Sequence, residues 1–314
     1  MNNKKIVIPG GAGLVGQNLI IFLKRHGFTN IHIIDKHKKN MKILKELHPD
    51  VKAYDYDLSL NDENWINCFH DADYIIMLQA QIGGIKESDF CDNNVNSTKN
   101  ILRVIKNFSK IPNLIHISSS VVNSKADDFY SKSKREQEEL VINSGIPCHI
   151  LRPTLMFGWF DRKHLGWLSR FMSKVPIFPI PGSGKYIRQP LYVGDFCKII
   201  VKCIEHDIPK KIYNISGQEK IYYIDIIKSL KEINQSKTFI LNIPYWFFSI
   251  LLKTWSIFDN NPPFTNQQLQ ALVLEEEFEI IDWPTVFSIK FTPFFQAATE
   301  TFTHPVYSKI EMEF

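Results

Sequence analysis

Ile6-Val-Ile-Pro-Gly10-Gly-Ala-Gly13-Leu14-Val15-Gly16 is the stretch whose reading decides the fold. A short β-branched run enters three glycines spaced by three residues, and the amphipathic stretch Gln17–Arg25 follows at once. A strand, a tight turn and a helix account for that order. Gly10 permits the turn, Gly13 lets backbone come close to a pyrophosphate, and Gly16 lets the helix pack closely on the strand. The first helical turn, with Leu14, Val15 and Gly16, then presents unpaired N–H groups to phosphates. Asp35 ends the next strand candidate, where a carboxylate accepts hydrogen bonds from an adenosine ribose. These features together predict a dinucleotide site. Asp35 would repel a 2′-phosphate and so favours NAD, whereas Lys36-His-Lys38-Lys39 follows directly and attracts one, which leaves NADP open and puts Lys36 on the cofactor side.

Outward from this turn, short β-branched runs alternate with helical stretches as far as residue 153. The strand candidates are Lys5–Pro9, Ile31–Asp35, Val51–Tyr54, Tyr74–Leu78, Leu114–Ser118 and Cys148–Arg152. Each parallel strand needs a crossover to the next, so the alternation predicts an α/β fold: a doubly wound parallel sheet covered on both faces. After Pro153 the pattern loosens into the proline-punctuated Val175-Pro-Ile-Phe-Pro-Ile-Pro-Gly-Ser-Gly-Lys. A nucleotide-binding domain over 1–153 and a smaller substrate lobe over 154–314, with some segments returning to the sheet, is the expected division.

The 314 residues are 44% hydrophobic and 22% charged, enough for a substantial core. A net charge of +4 is too mild and dispersed for a nucleic-acid footprint, so no nucleic-acid partner is expected. Five scattered cysteines without Cys-x-x-Cys spacing predict reduced thiols, mostly in the core, and no metal site. The N-terminal apolar run is too short for a signal peptide or a spanning helix, and the expected location is the cytoplasm.

Tyr130-Ser-Lys-Ser-Lys134 opens a strongly helical stretch, which puts the tyrosine and Lys134 one turn apart on one face. A phenol ionises near pH ~10, and a neighbouring ammonium with a positive nicotinamide brings that pKa down. Phenolate then takes a proton from a substrate hydroxyl as hydride leaves. Ser118-Ser-Ser120 ends a strand candidate, where ligand sites gather in open parallel sheets. Ser119 is the expected partner of the reacting oxygen, with Ser120 the alternative.

The chain resembles the extended branch of the short-chain dehydrogenase/reductase superfamily, the NAD-dependent nucleotide-sugar epimerases, dehydratases and reductases. The resemblance covers residues 5–230 and rests on the glycine turn, Asp57-Leu58, Leu78-Gln-Ala80, Asn94-Val-x-x-Thr98, Ser118-Ser-Ser120, Tyr130-x-x-x-Lys134, Leu151-Arg-Pro153 and Arg188-x-x-x-Tyr192-Val-x-Asp195. It implies a Rossmann fold with Ser119, Tyr130 and Lys134 catalytic. It also implies that Asp57 and Leu58 lie beside the adenine, that Leu78 and Ala80 line the cofactor channel, that Pro153 flanks the nicotinamide, and that Lys134 reaches the nicotinamide ribose. Arg188 would face substrate phosphates, with Gln81 and Ser120 on the substrate side. Asn94 has a structural or cofactor-side role in such proteins.

Departures from the family pattern bear on the substrate. Pro9 replaces a threonine, Gln79 and Gln81 make their segment unusually polar, and Tyr130 follows Ser119 by 11 positions, a short interval. Dehydratases of the branch carry an acidic pair where this chain has Ser120 and Val121, so dehydration is disfavoured. The expected function is a nucleotide-sugar epimerase for surface-polysaccharide precursors. The alternatives are a keto-reductase or dehydrogenase, or a non-catalytic or membrane-associated dinucleotide-binding relative. The last comes from the aromatic stretch 245–258, too short to span a bilayer and read first as a buried helix or a dimer interface. A homodimer is what the resemblance implies. The final stretch, from Asp282-Trp-Pro through Thr292-Pro-Phe-Phe, is expected to be a turn followed by a short closing helix.

Overall fold

The structure, a computed structural model, describes residues 3–258, Leu269 and 279–313. Seven strands form one parallel sheet: β1 (Ile6–Pro9), β2 (Ile31–Asp35), β3 (Lys52–Asp55), β4 (Tyr74–Met77), β5 (Asn113–Ile117), β6 (Cys148–Pro153) and β11 (Ile212–Ile215). Their order across the sheet is β11-β6-β5-β4-β1-β2-β3. The expected strands match these to within one residue at either end. The helices on this part of the chain are α1 (Leu14–Arg25), α2 (Lys38–Leu47), α3 (Glu63–Phe69), α4 (Glu87–Phe90), α5 (Ser97–Lys106) and α6 (Phe129–Asn143). A π-helical turn, Cys91–Asn96, joins α4 to α5.

Alternation along each strand splits the core in two. Ile6, Ile8, Ile33 and Ile115 join a large cluster with α1 and α8 (Val193–Glu205), while Val7, Ile34, Ile75 and Leu114 join a second with α3, α5 and α6. All of these strand residues are fully buried, which explains why the strands read as continuous apolar runs. The order of strands reverses beside β1, between β2 and β4, and in open parallel sheets such a switch point leaves a ligand crevice at the carboxyl ends of the strands. The site follows from this topology.

After β6 the chain builds β7 (Met156–Phe157), α7 (Leu165–Met172), β8 (Ile177–Pro181), β9 (Ile187–Arg188) and β10 (Leu191–Tyr192) before returning through α8 and β11. Then come β12 (Ile221–Tyr222), α9 (Tyr223–Ile233), β13 (Phe239–Ile243), α10 (Tyr245–Phe258), α11 (Trp283–Phe287) and α12 (Phe294–Thr303). Three two-stranded pairs, β7 with β10, β9 with β12 and β8 with β13, hold this part together. Asp195 anchors the final stretch: Thr292 donates to it from both its N–H (2.7 Å) and its hydroxyl (2.8 Å). The expected closing helix is α12, whereas the stretch expected as a turn holds the short helix α11, which Asp282 caps by accepting from Thr285 N.

Of the two expectations for 245–258, a buried helix or a dimer interface, α10 departs from the first. Trp246 is 63% exposed, and Phe247, Ile250 and Leu251 also face solvent. Among the described residues no helix is long and apolar enough to cross a membrane. Cys68, Cys197 and Cys203 are buried, Cys148 is half-buried and Cys91 exposed.

Candidate active site

The cofactor side is built from backbone. Gly10 adopts φ +74°, and a Cβ there would overlap the backbone of Gln79 at the end of β4. A Cβ on Gly16 would overlap the Gly11 carbonyl, so strand and helix touch at that point. Gly13 differs from both, because the nearest atom to a Cβ there is the Gly10 carbonyl oxygen at 3.6 Å. Its glycine is therefore not required by the protein's own packing, and the open space lies at the mouth of α1. No side chain caps that helix. Free N–H groups beside an open cradle fit a pyrophosphate.

Asp35 stands at the end of β2. Its Oδ2 accepts from Ala12 N (3.0 Å) and its Oδ1 from His37 N (3.0 Å), which leaves lone pairs for ribose hydroxyls. Burial raises its pKa, and the His37 and Ala12 N–H bonds oppose the rise. Of the lysines that follow, Lys36 pairs with Asp57 at 2.9 Å and Lys39 with Glu313 at 2.6 Å, so both ammonium groups are already engaged by carboxylates. Asp57 also accepts from Ser59 N and Oγ, at 2.9 and 2.7 Å. Burial works to raise the Asp57 pKa, but these bonds and the Lys36 ammonium bring it below its ordinary value. Leu58 is buried beside it, Leu78 is half-buried at the carboxyl end of β4, and Ala80 is exposed. Pro153 is buried at the end of β6.

Side chains from distant segments meet around Tyr130 and Lys134, the expected proton-transfer pair. Asp128 caps α6 by accepting from Ser131 N (2.9 Å), and this sets Tyr130 in the first helical turn. Ser119, which caps the 3-10 turn Ser120–Asn123, lies close enough to the Tyr130 phenol to act on its pKa. Of the serine run, Ser118 is buried and donates to Glu138 Oε2 at 2.5 Å, so its role is structural. Ser119 and the half-buried Ser120 remain near the crevice.

Lys134 lies one turn along α6 and is only 1% exposed. Its ammonium donates to the Ile117 carbonyl (3.0 Å) and to Gln137 Oε1 (2.5 Å). Burial lowers its pKa to about 7, against the attraction of Glu138. The expectation that this ammonium depresses the Tyr130 pKa is corrected here. Burial raises the phenol's pKa, Ser119 opposes the rise and Asp128 adds to it, while Lys134 is turned to its own acceptors.

Asn94, fully buried, accepts from Gln81 N (2.6 Å) and donates to Ser133 Oγ (2.8 Å), tying the Gln81 loop to α6. Gln81 in turn accepts from Asn93 at 3.0 Å. Arg188, half-buried on β9, donates to the Ile187 carbonyl at 2.7 Å and lies close enough to Tyr223 and Tyr186 to act on both phenols. Sequence reasoning missed Gln137 and Glu138, both buried on α6. The i, i+3 and i, i+4 spacing from Lys134 is the signal that would have found them.

The family model "NAD dependent epimerase/dehydratase family" matches residues 6–216, from the first strand through the last strand of the sheet. The chain belongs to this family. NAD is accordingly its cofactor, and the cradle at Gly13 with the ribose acceptor at Asp35 fits it. Among curated relatives, a UDP-glucose 4-epimerase of Vibrio cholerae is 23% identical over 278 residues, covering 80% of this chain and 82% of that one. A mitochondrial NADH dehydrogenase [ubiquinone] 1 alpha subcomplex subunit 9 of Arabidopsis thaliana is 22% identical, covering 85% of this chain and 67% of its own. A UDP-glucuronic acid 4-epimerase of Bacillus cereus, solved with UDP-glucuronic acid and NAD, superposes with a TM-score of 0.68 at 21% identity, over 95% of this chain and 97% of that one.

Proposed function

We propose that this family member catalyses reversible hydride transfer at a hydroxyl-bearing carbon of a nucleoside-diphosphate sugar, with epimerisation at that carbon as the net reaction. The observation that carries the reading is the Ser119 hydroxyl set beside the Tyr130 phenol, with the Gln79 backbone joining their side of the sheet to the glycine turn. Bound NAD supplies the hydride acceptor and, in the return step, the donor. Tyr130 takes the proton from the sugar hydroxyl oxygen and gives it back. Ser119 hydrogen-bonds that same oxygen and fixes its distance from the phenol, while Lys134 holds the nicotinamide ribose. Arg188 meets the diphosphate, and Gln81 and Ser120 contact the sugar.

Two considerations support epimerisation. The relatives named above include 4-epimerases of UDP-sugars. Elimination of water needs an acid and a base beside the reacting serine, and Ser120 and Val121 provide neither. Net reduction or oxidation by the same residues is the alternative outcome. The test incubates the NAD-loaded protein with a panel of UDP-, GDP- and dTDP-sugars and reads products by NMR. Inversion at one carbon without accumulation of NADH supports the proposal; stoichiometric NADH moves the assignment to a dehydrogenase, and no conversion of any sugar favours a subunit without turnover.

The reading carries a division of labour, with residues 1–153 binding cofactor and 154–314 contributing substrate contacts, in a cytoplasmic homodimer; sedimentation velocity tests the dimer. A second reading adds peripheral attachment to a membrane through α10, favoured by the exposure of Trp246, Phe247, Ile250 and Leu251 on one helix. Co-sedimentation with liposomes that disappears in Trp246→Ser supports it, and none in the parent protein removes it.

A further inference from the structure

Gln79 stands out in the sequence as an unusually polar residue in a segment that lines the crevice, and its environment gives it a use. Gln79, Thr98, Lys134 and Gln137 come from the end of β4, from α5 and from α6, and none is more than 9% exposed. Thr98 Oγ1 accepts from Gln79 Nε2 (3.2 Å) and from Gln137 Nε2 (3.0 Å). Gln137 Nε2 also donates to the Gln79 carbonyl at 3.3 Å. Its Oε1 receives the Lys134 ammonium at 2.5 Å.

This arrangement fixes the orientation of the Gln137 amide. A flipped amide would set its NH2 group against the Lys134 ammonium and its oxygen against the Gln79 carbonyl, two repulsive contacts in a site without solvent to screen them. The two acceptors behind Gln137 therefore aim its oxygen at Lys134. Because the Gln79 backbone also packs against Gly10, the cofactor turn and the catalytic lysine share one rigid support.

We infer that Gln137 is a positioning residue: held from behind by Gln79 and Thr98, it keeps the Lys134 ammonium charged and placed for the nicotinamide ribose. The inference rests on the role given to Lys134 above. An ammonium has three donors; Ile117 O and Gln137 Oε1 take two, and the third remains for a ribose hydroxyl. The titratable groups facing Lys134 among the described residues are Glu138 on α6 and His116 on β5. Glu138 is shared with Ser118 and Arg152, and His116 is fully buried and held neutral, its pKa well below the ordinary value through burial. The end of β4 and α5 contribute only the uncharged Gln79 and Thr98. With burial bringing Lys134 to about 7, the loss of one charge-assisted acceptor moves its titration lower still.

The test is the NAD dissociation constant as a function of pH, which needs no sugar substrate. The ammonium form binds, so affinity is full at low pH and falls as pH rises through the Lys134 pKa. Gln137→Leu is expected to move that falling limb down by about one pH unit, weakening binding roughly tenfold on the limb. Gln137→Glu is expected to move it up, a rescue that a purely structural role would not produce. An unshifted limb in Gln137→Leu, or binding independent of pH in the parent protein, would overturn the inference. If Gln137→Leu proves too unstable to purify, Gln137→Glu decides alone, and an unshifted limb there overturns it too. Failure to turn over any sugar would defeat the proposed function without touching this result.

Discussion

The two walls of the crevice meet at Gln79 but are made of different material. On one wall, Gly10 through Gly16 form the cradle in a single continuous run, and the groups offered to the cofactor are backbone N–H donors at an uncapped helix start. On the other, Ser119, Tyr130, Lys134, Gln137, Thr98 and Gln79 arrive from four separate segments, and the groups offered are side chains, with burial shifting the titration of Tyr130 and Lys134. A backbone wall carries its function in the absence of side chains, so most changes there act through sterics. A side-chain wall carries it in protonation states, and small changes there act through pKa and hydrogen-bond direction.

That contrast can be broken at defined places. The largest expected stability effect lies behind the side-chain wall, where Glu138 is held by Arg152 through Nε (3.0 Å) and Nη2, and by Ser118. Arg152→Ala leaves a mostly buried carboxylate without its partner and should lower stability by about 3 kcal/mol, measured by urea denaturation. A change below ~1 kcal/mol would mean that water or Ser118 compensates.

On the backbone wall, Gly16→Ala and Gly13→Ala should separate packing from binding. At Gly16 the new methyl overlaps the Gly11 carbonyl, and destabilisation of about 1–3 kcal/mol is expected. At Gly13 the methyl enters the open cradle, so the melting temperature should match the parent while NAD binding is lost. Equal loss of stability in both variants would contradict the assignment of Gly13 to the cofactor.

A smaller effect is expected from Asp57→Asn, which releases Lys36 beside the ribose site. NADP(H) affinity relative to NAD(H) should rise by a few-fold, and less at high salt, because the freed ammonium is partly exposed and screened. An unchanged ratio would show that Asp35 alone sets the preference.

Much of the fold was legible because its signals are local. The β-branched runs of β1, β2 and β5 and the glycines at fixed spacing report directly on backbone geometry, and the strands fall where the pattern put them. Tyr130 and Lys134 were legible as a helical pair for the same reason. What the sequence could not carry is the direction of Lys134, because its acceptors, Ile117 O and Gln137 Oε1, are fixed by the packing of α6 on β5 and of Gln137 on Thr98. The same limit applies to Lys36 and Lys39, whose partners Asp57 and Glu313 lie far along the chain. Helix α10 is legible only in part for a related reason: apolar composition says that a helix avoids water, not which surface covers it, and Trp246 is exposed in the single chain.

The account turns on Tyr130 as the group that moves the proton while hydride moves at the adjacent carbon. The most direct test mixes NAD-loaded protein with a sugar nucleotide that the parent protein converts, and follows a single turnover in the parent and in Tyr130→Phe, with NAD dissociation constants measured alongside. The expected result is a rate lower by about a hundred- to ten-thousand-fold with NAD affinity unchanged; a near-parental rate in Tyr130→Phe would contradict the mechanism.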